Sequence, residues 1–305
     1  MSFASELKKE LCKAVPQNSC CQKAECYGLL LFGKSFHLLN ISLKTENNAL
    51  VHLAAQLAAE TTGAIVDIST AVSRRKDRRN VYAMRVAGED QRKSILGYFG
   101  HTGEEISLRI NHANLENECC GSAFLRGAFL SCGTISDPQK DYHLEFVVPF
   151  MNLAKDLSAT IRAAYELDLQ PGLTNRKGSF VVYIKGSERV ADFLTYMGAG
   201  NAAMELMQAK MLKEVRNNVN RKTNFETANI DKTAQAAATQ MIAIERVMGG
   251  AGISALPEEL QELAMLRYRN PEMSLRELGE ALSEPLSRSG VNHRLQRIVE
   301  LAEDF

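Results

Sequence analysis

The sequence predicts an α+β body made of two copies of one unit, each with an antiparallel sheet, followed by an all-α region. Three observations predict it. "CCQKAECYG" (Cys20 to Gly28) and "CCGSAFLRG" (Cys119 to Gly127) share both cysteines, an alanine and the last glycine at an offset of 99. "GEDQRKSILGYFG" and "GSERVADFLTYMG" repeat the closing part of the unit at an offset of 98, so a segment of about 100 residues is duplicated. Beyond Gly200 the strand patterns stop and only helical spacing remains.

The elements follow in order. "MSFASELKKEL" reads as an amphipathic helix and lacks the basic-then-apolar pattern of a secretion signal. An apolar helix containing a glycine then opens each copy, about Ala24 to Gly33 and Ser122 to Gly133. One strand follows, "FHLLNISLKT" or "YHLEFVVP", and then a helix, "NALVHLAAQLAAETTG" or "FMNLAKDLSATIRAAYEL". Two further strands form a hairpin, "AIVDIST" with "VYAMRVAG" and "LQPGLT" with "SFVVYIKG", and a short helix closes each copy. Gly28 and Gly127 fall inside their helices, where glycine costs about 1 kcal/mol relative to alanine. Close approach of two helix backbones accounts for that cost in both copies.

"YGLLLFGKSF" and "LRGAFLSCGTISDP" resemble the signature helices of the LAGLIDADG homing endonuclease fold. The resemblance implies a two-repeat body in which the paired helices cross, the strands form a saddle over DNA, and an acidic residue at each helix end holds a divalent metal for phosphodiester hydrolysis. Those two positions are Gly33 and Cys132 here, and neither supplies the hard oxygen ligand that magnesium requires. Asp137 lies five residues past Cys132 and has no counterpart in the first copy. No catalytic residue, metal or cofactor is therefore expected, and a residual metal-dependent DNA endonuclease stands as an alternative.

In the last third, "NAAMELMQAKMLKEVRNNVNR" and "TANIDKTAQAAATQMIAIERVM" read as two helices joined at a polar elbow, "NRKTNFETANIDK", with "GGAG" as a stop and hinge. Leu260, Leu263, Ala264 and Leu266 give the next helix its apolar face, ending near Asn270 and Pro271. Ser274 with Glu277 is a capping-box signature, and Leu275, Leu278 and Leu282 form the inner face of the helix it opens. Gly279 stands where a crossing helix needs a small residue. Ser287 caps a third helix with Val291, Leu295 and Ile298 inward, which completes an all-α helix-turn-helix domain. Its outer face carries Arg288, Ser289, Asn292, His293, Arg294 and Arg297, with no acidic residue from Ser287 to Val299. Ser287 at the start of this helix is a candidate DNA contact, and Arg288, Ser289, Asn292 and His293 are candidates for base edges. Arg294 and Arg297 suit phosphates better.

"SLRELGEAL" and "LSRSGVNHRL" are similar to region 4 of bacterial sigma factors. Together with "CCQKAE", "FLRGAFLSCGTISDP" and "NRKTNFETANIDKT", in this order over nearly the whole chain, they identify the sequence as resembling the WhiA family. That resemblance implies a DNA-binding transcriptional regulator of Gram-positive bacteria tied to cell division, chromosome segregation and sporulation, with nuclease activity lost. The expected domains are a first repeat with its N-terminal helix (1–115), a second repeat (116–218), a linker helix and hinge (219–255) and the helix-turn-helix domain (256–305). Double-stranded promoter DNA is the expected partner, with RNA polymerase or a sigma factor as a candidate second one. A protein-binding adaptor with weak DNA contact is the other alternative.

The remaining constellations are weaker. Arg74, Arg75, Lys76, Arg78 and Arg79 form a basic hairpin tip, and Arg176 with Lys177 occupies the same place in the second copy; both are candidate phosphate contacts or simply solvated turns. Arg221 and Lys222 in the elbow are further candidates for DNA backbone, beside a structural reading of Asn224, Asn229 and Lys232. Cys20, Cys21, Cys119 and Cys120 come near each other if the signature helices pair. Adjacent cysteines are poorly spaced for zinc, so they are expected to be buried small hydrophobes. Formal net charge is zero, so any nucleic-acid footprint is local. Seven cysteines without a CxxC spacing fit reduced thiols, and no run of about 18 apolar residues suggests a membrane span, so a cytoplasmic, nucleoid-associated protein is expected.

Overall fold

The computed structural model describes residues 2–16, 18–72, 80–164 and 167–304. It divides into two compact units, Met1–Glu214 and Val215–Phe305. The first unit begins with α1 (Phe3–Leu11), capped by the Ser2 side chain, and α2 (Ser19–Leu31). Strands β1 (Ser35–His37) and β2 (Asn40–Thr45) precede α3 (Asn48–Thr62). Asn47 caps the start of α3, and Gly63 ends it at φ 68°, a left-handed cap that suits glycine. Strands β3 (Val66–Val72) and β4 (Asn80–Val86) and helix α4 (Glu89–Tyr98) complete the first repeat.

The second repeat runs α5 (Glu118–Cys132), β5 (Gly133–Ile135), β6 (His143–Val148), α6 (Met151–Ala163), β7 (Gly172–Arg176), β8 (Ser179–Lys185) and α7 (Ser187–Tyr196). Both sheets are antiparallel with equivalent strand orders, β1-β2-β4-β3 and β5-β6-β8-β7. The duplication read from the cysteines and glycines is thus a duplication of topology. Each sheet buries one face: Ile41, Leu43, Met84 and Val86 in the first, and Leu144, Phe146, Val148, Val182 and Ile184 in the second.

Three sequence expectations change. "FHLLNISLKT" is a hairpin and not one strand, with Phe36 opposite Ile41 and His37 opposite Asn40. Leu38 and Leu39 make its turn, where the Leu39 amide donates to His37 Nδ1 at 3.2 Å. The second copy has the matching short strand β5, and its "LQPGLT" strand starts only at Gly172. Finally, the elbow does not exist: α8 (Gly200–Gly249) is a single helix of 50 residues. No glycine or proline interrupts positions 201 to 248, and Asn or Thr costs only about 0.7 kcal/mol or less in a helix interior.

α2 packs along α5, and the two glycines make this possible. A Cβ on Gly28 would strike the carbonyl oxygen of Phe124, and one on Gly127 would strike that of Glu25. Beside them Arg126 donates to both carboxylate oxygens of the buried Glu25, at 3.0 and 2.7 Å, and to the Met197 carbonyl. Burial holds the Glu25 carboxyl above its ordinary value, and the guanidinium offsets only part of that rise. Losing one member of such a pair costs about 3–5 kcal/mol, because the other charge stays buried.

In the second unit, Ala243, Ile244 and Val247 near the end of α8 share a core with α9 (Glu258–Arg269), α10 (Leu275–Ala281) and α11 (Arg288–Leu301). Arg267 of α9 is 2% exposed and donates to Gln240 of α8 and to the Met273 and Pro271 carbonyls.

Candidate nucleic-acid interface

Local chemistry sets α10 and α11 in place. Ser274 and Glu277 make the reciprocal capping box. The turn to α11 is held by Ser283, whose amide and hydroxyl donate to the Glu262 carboxylate at 2.8 and 2.6 Å. The Leu286 amide donates to the Gly279 carbonyl at 3.0 Å, so the two backbones touch, and a Cβ on Gly279 would collide with the Leu286 carbonyl. The Ser287 hydroxyl accepts from the Gly290 amide and starts α11. Val291, Leu295 and Ile298 are fully buried on its inner side.

On the other side, Arg288, Ser289, Asn292 and His293 are exposed and make no side-chain hydrogen bond among the described residues. Positions 288 and 292, and 289 and 293, are one turn apart and share a face. The exposed amides at the start of α11 and the positive end of its dipole add to this face. Arg294 and Arg297 are placed differently. Arg294 donates to the Glu259 carbonyl at 3.0 Å, and Arg297 lies 3.7 Å from the Glu259 carboxylate, so both lean on the start of α9. Each keeps its charge at the surface but is already partly engaged.

The other basic candidates are scattered. Arg74, Arg75, Lys76, Arg78 and Arg79 lie outside the described residues. Lys177 (φ 52°) and Gly178 (φ 80°) form the two-residue turn between β7 and β8, a geometry that favours positive φ at both positions. Arg176 donates to Glu145 at 2.6 Å across the sheet, which leaves Lys177 as the open charge of that tip. Arg221 and Lys222 are exposed on the continuous α8, as are Asn224, Asn229 and Lys232; none of them satisfies an elbow.

At the ends of α2 and α5 the positions that need carboxylates do not suit a hard divalent ion. Gly33 has no side chain, and a Cβ there would stand 2.9 Å from the Ser42 carbonyl oxygen. Burial pushes the Cys132 thiol up to about 12, and a thiol is in any case not the hard oxygen ligand that magnesium requires. Lys8 of α1 donates to the Leu130 carbonyl at 3.0 Å and brings a cation beside Cys132. Asp137 accepts from the Gln139 amide at 2.9 Å, a turn-forming bond. Among the described residues, the one group of three or more Cys, His, Asp or Glu side chains close enough to share an ion is Cys20, Cys21, Cys119 and Cys120. The expectation of four buried small hydrophobes is corrected here: Cys119 is exposed and Cys20 half-buried, because both helices start at the surface.

Fold and site together define a two-repeat LAGLIDADG-like body, without the metal-binding carboxylates, joined to a helix-turn-helix domain. The family comparisons agree with this architecture. The chain matches the WhiA LAGLIDADG-like domain over 121–216 and the WhiA C-terminal HTH domain over 219–302. It is 36% identical to the "Probable cell division protein WhiA" of Alkaliphilus metalliredigens, over 99% of this chain and 98% of that one. With the protein of the same name from Clostridium botulinum it shares 38% identity over 100% and 99% of the two chains. The crystal structure of full-length WhiA from Thermotoga maritima superposes with a TM-score of 0.61 at 25% identity, covering 100% of this chain and 99% of that one. The chain belongs to the WhiA family.

Proposed function

We propose that the chain is a sequence-specific DNA-binding transcriptional regulator that reads promoter DNA through α11 and cuts nothing. One observation carries the reading: Arg288, Ser289, Asn292 and His293 stand free on one face of a capped helix whose opposite face is fully buried. Arginine and asparagine bind guanine and adenine edges bidentately, and such a helix fits the major groove. Arg294 and Arg297 flank this face as candidate phosphate contacts. The names of the relatives support a role in cell division, and the family resemblance extends it to chromosome segregation and sporulation. Such a protein acts in the cytoplasm at the nucleoid. No helix of the described residues is long and apolar enough to cross a membrane. RNA polymerase or a sigma factor is a natural second partner for a promoter-bound domain.

The test is footprinting of the full chain on its genomic sites with Arg288→Ala and Asn292→Ala. Each is expected to lose about 1–3 kcal/mol of discrimination, roughly 5- to 150-fold, at one base position. Unchanged protection of the same site by both variants removes α11 as the reader, whereas the lack of any specific footprint by the unaltered chain favours a protein-binding adaptor.

A further inference from the structure

We propose that Cys20, Cys21, Cys119 and Cys120 form a structural zinc site that ties the two repeats together where α2 and α5 begin. Their four Sγ atoms lie within 4.8 Å of one another, and Cys20 and Cys119 are 3.7 Å apart. Four sulfurs each about 2.3 Å from one ion at the centre of a tetrahedron stand about 3.8 Å apart. The pair across the interface already has that spacing, and small side-chain rotations bring in the rest. The Cys21 thiol, which now donates to the Cys119 carbonyl at 3.5 Å, is the one that turns.

The adjacency that argued against zinc applies to one helix alone. Each CC pair occupies the second and third positions of its helix, so its two sulfurs diverge around the axis. The close contact at Gly28 and Gly127 brings two such pairs face to face, and four divergent sulfurs then surround one point. Separations under 5 Å fit a single ion and leave no room for a cluster carrying its own sulfides between the thiolates. An all-sulfur tetrahedral set selects zinc over magnesium or calcium, and with four protein ligands it has no open position for catalysis. Binding releases the protons of all four thiols, and the helix N-termini favour the resulting negative charge. The Asn18 side chain amide lies 4.0 Å from Cys119 Sγ as an outer N–H···S donor. Cys119 is exposed, so the ion has a way in.

The measurement is zinc content by inductively coupled plasma mass spectrometry on the full chain, purified under reducing conditions from zinc-replete cells. About one zinc per chain is expected. Cobalt added to the chelated protein should give the intense bands of tetrahedral thiolate coordination. Cys119→Ser, at the exposed position, should weaken zinc binding by at least the 10- to 100-fold that loss of an outer partner costs. The wild-type stoichiometry needs no variant to fold. Absence of bound metal overturns the proposal, whether the thiols are then free or Cys20 and Cys119 are found joined as a disulfide by mass. Stoichiometric iron in place of zinc overturns it too.

Discussion

Asp156 lies on α6 and is 9% exposed, yet it holds the segment that connects the two repeats. Its carboxylate accepts two bonds from Arg109, both 2.6 Å, and one from the Ile110 amide at 3.1 Å. Burial alone would push this carboxyl up; the guanidinium and amide outweigh burial and hold it below the usual aspartate value of 3.8. A carboxyl depressed in the folded state adds stability that is full above its unfolded value and drains away as pH falls through its folded one. The urea midpoint of the wild type should therefore exceed that of Asp156→Asn by its full margin near about pH 6, and the margin should close as pH drops below 3.8. A margin that stays constant over that range would show that the charge plays no part. None of this was readable beforehand, since Arg109 and Asp156 are ordinary residues 47 apart whose pairing depends on the folded core.

At the scale of elements, the pairing of α2 with α5 turns on missing side chains. Gly127→Ala gains about 1 kcal/mol of helix propensity but sets a methyl against the Glu25 carbonyl, and overpacking of that kind costs about 1–3 kcal/mol or more. A net loss of stability is expected. Gly97 in α4 is the control, because nothing lies within 4 Å of its would-be Cβ. Gly97→Ala should raise stability by about 1 kcal/mol. Shifts of opposite sign in urea midpoint would bear this out, and stabilisation by both would mean that α2 and α5 do not touch. The glycines, the Ser274 capping box and the inward Val291, Leu295 and Ile298 were legible because each is local or periodic. The β1–β2 hairpin was not, since Leu38 and Leu39 replace the Gly or Asn that normally marks a tight turn. α8 was misread as two helices because the asparagine-rich stretch in its middle reads as a break, although Val219, Phe225 and Ile230 lie along it; the lack of any Gly or Pro was the better signal. The thiol cluster was half legible: the repeated CC pairs announced proximity, while the crossing that makes their sulfurs converge belongs to the pair of helices.

For the whole molecule, the formal net charge is zero, so the DNA binding proposed above must rest on local, placed contacts and not on overall charge. Base-reading and phosphate-binding residues then separate by salt dependence. Each cation that touches a phosphate steepens the slope of log affinity against log salt by about 0.9, whereas an uncharged base contact leaves it alone. Arg221 and Lys222 are exposed on α8, inside the stretch matched by the C-terminal family domain, with no role left in an elbow. If both meet phosphates, Arg221→Ala with Lys222→Ala makes the slope shallower by about 2 and weakens all sequences alike. Asn292→Ala should do the reverse, keeping the slope and relaxing the preference at one base position. Binding of the full chain to a footprinted site and to an unrelated duplex, over a range of salt, measures both quantities at once. An unchanged slope in the double variant assigns those cations to solvent and leaves the phosphate contacts to Arg294, Arg297 and the amides at the start of α11.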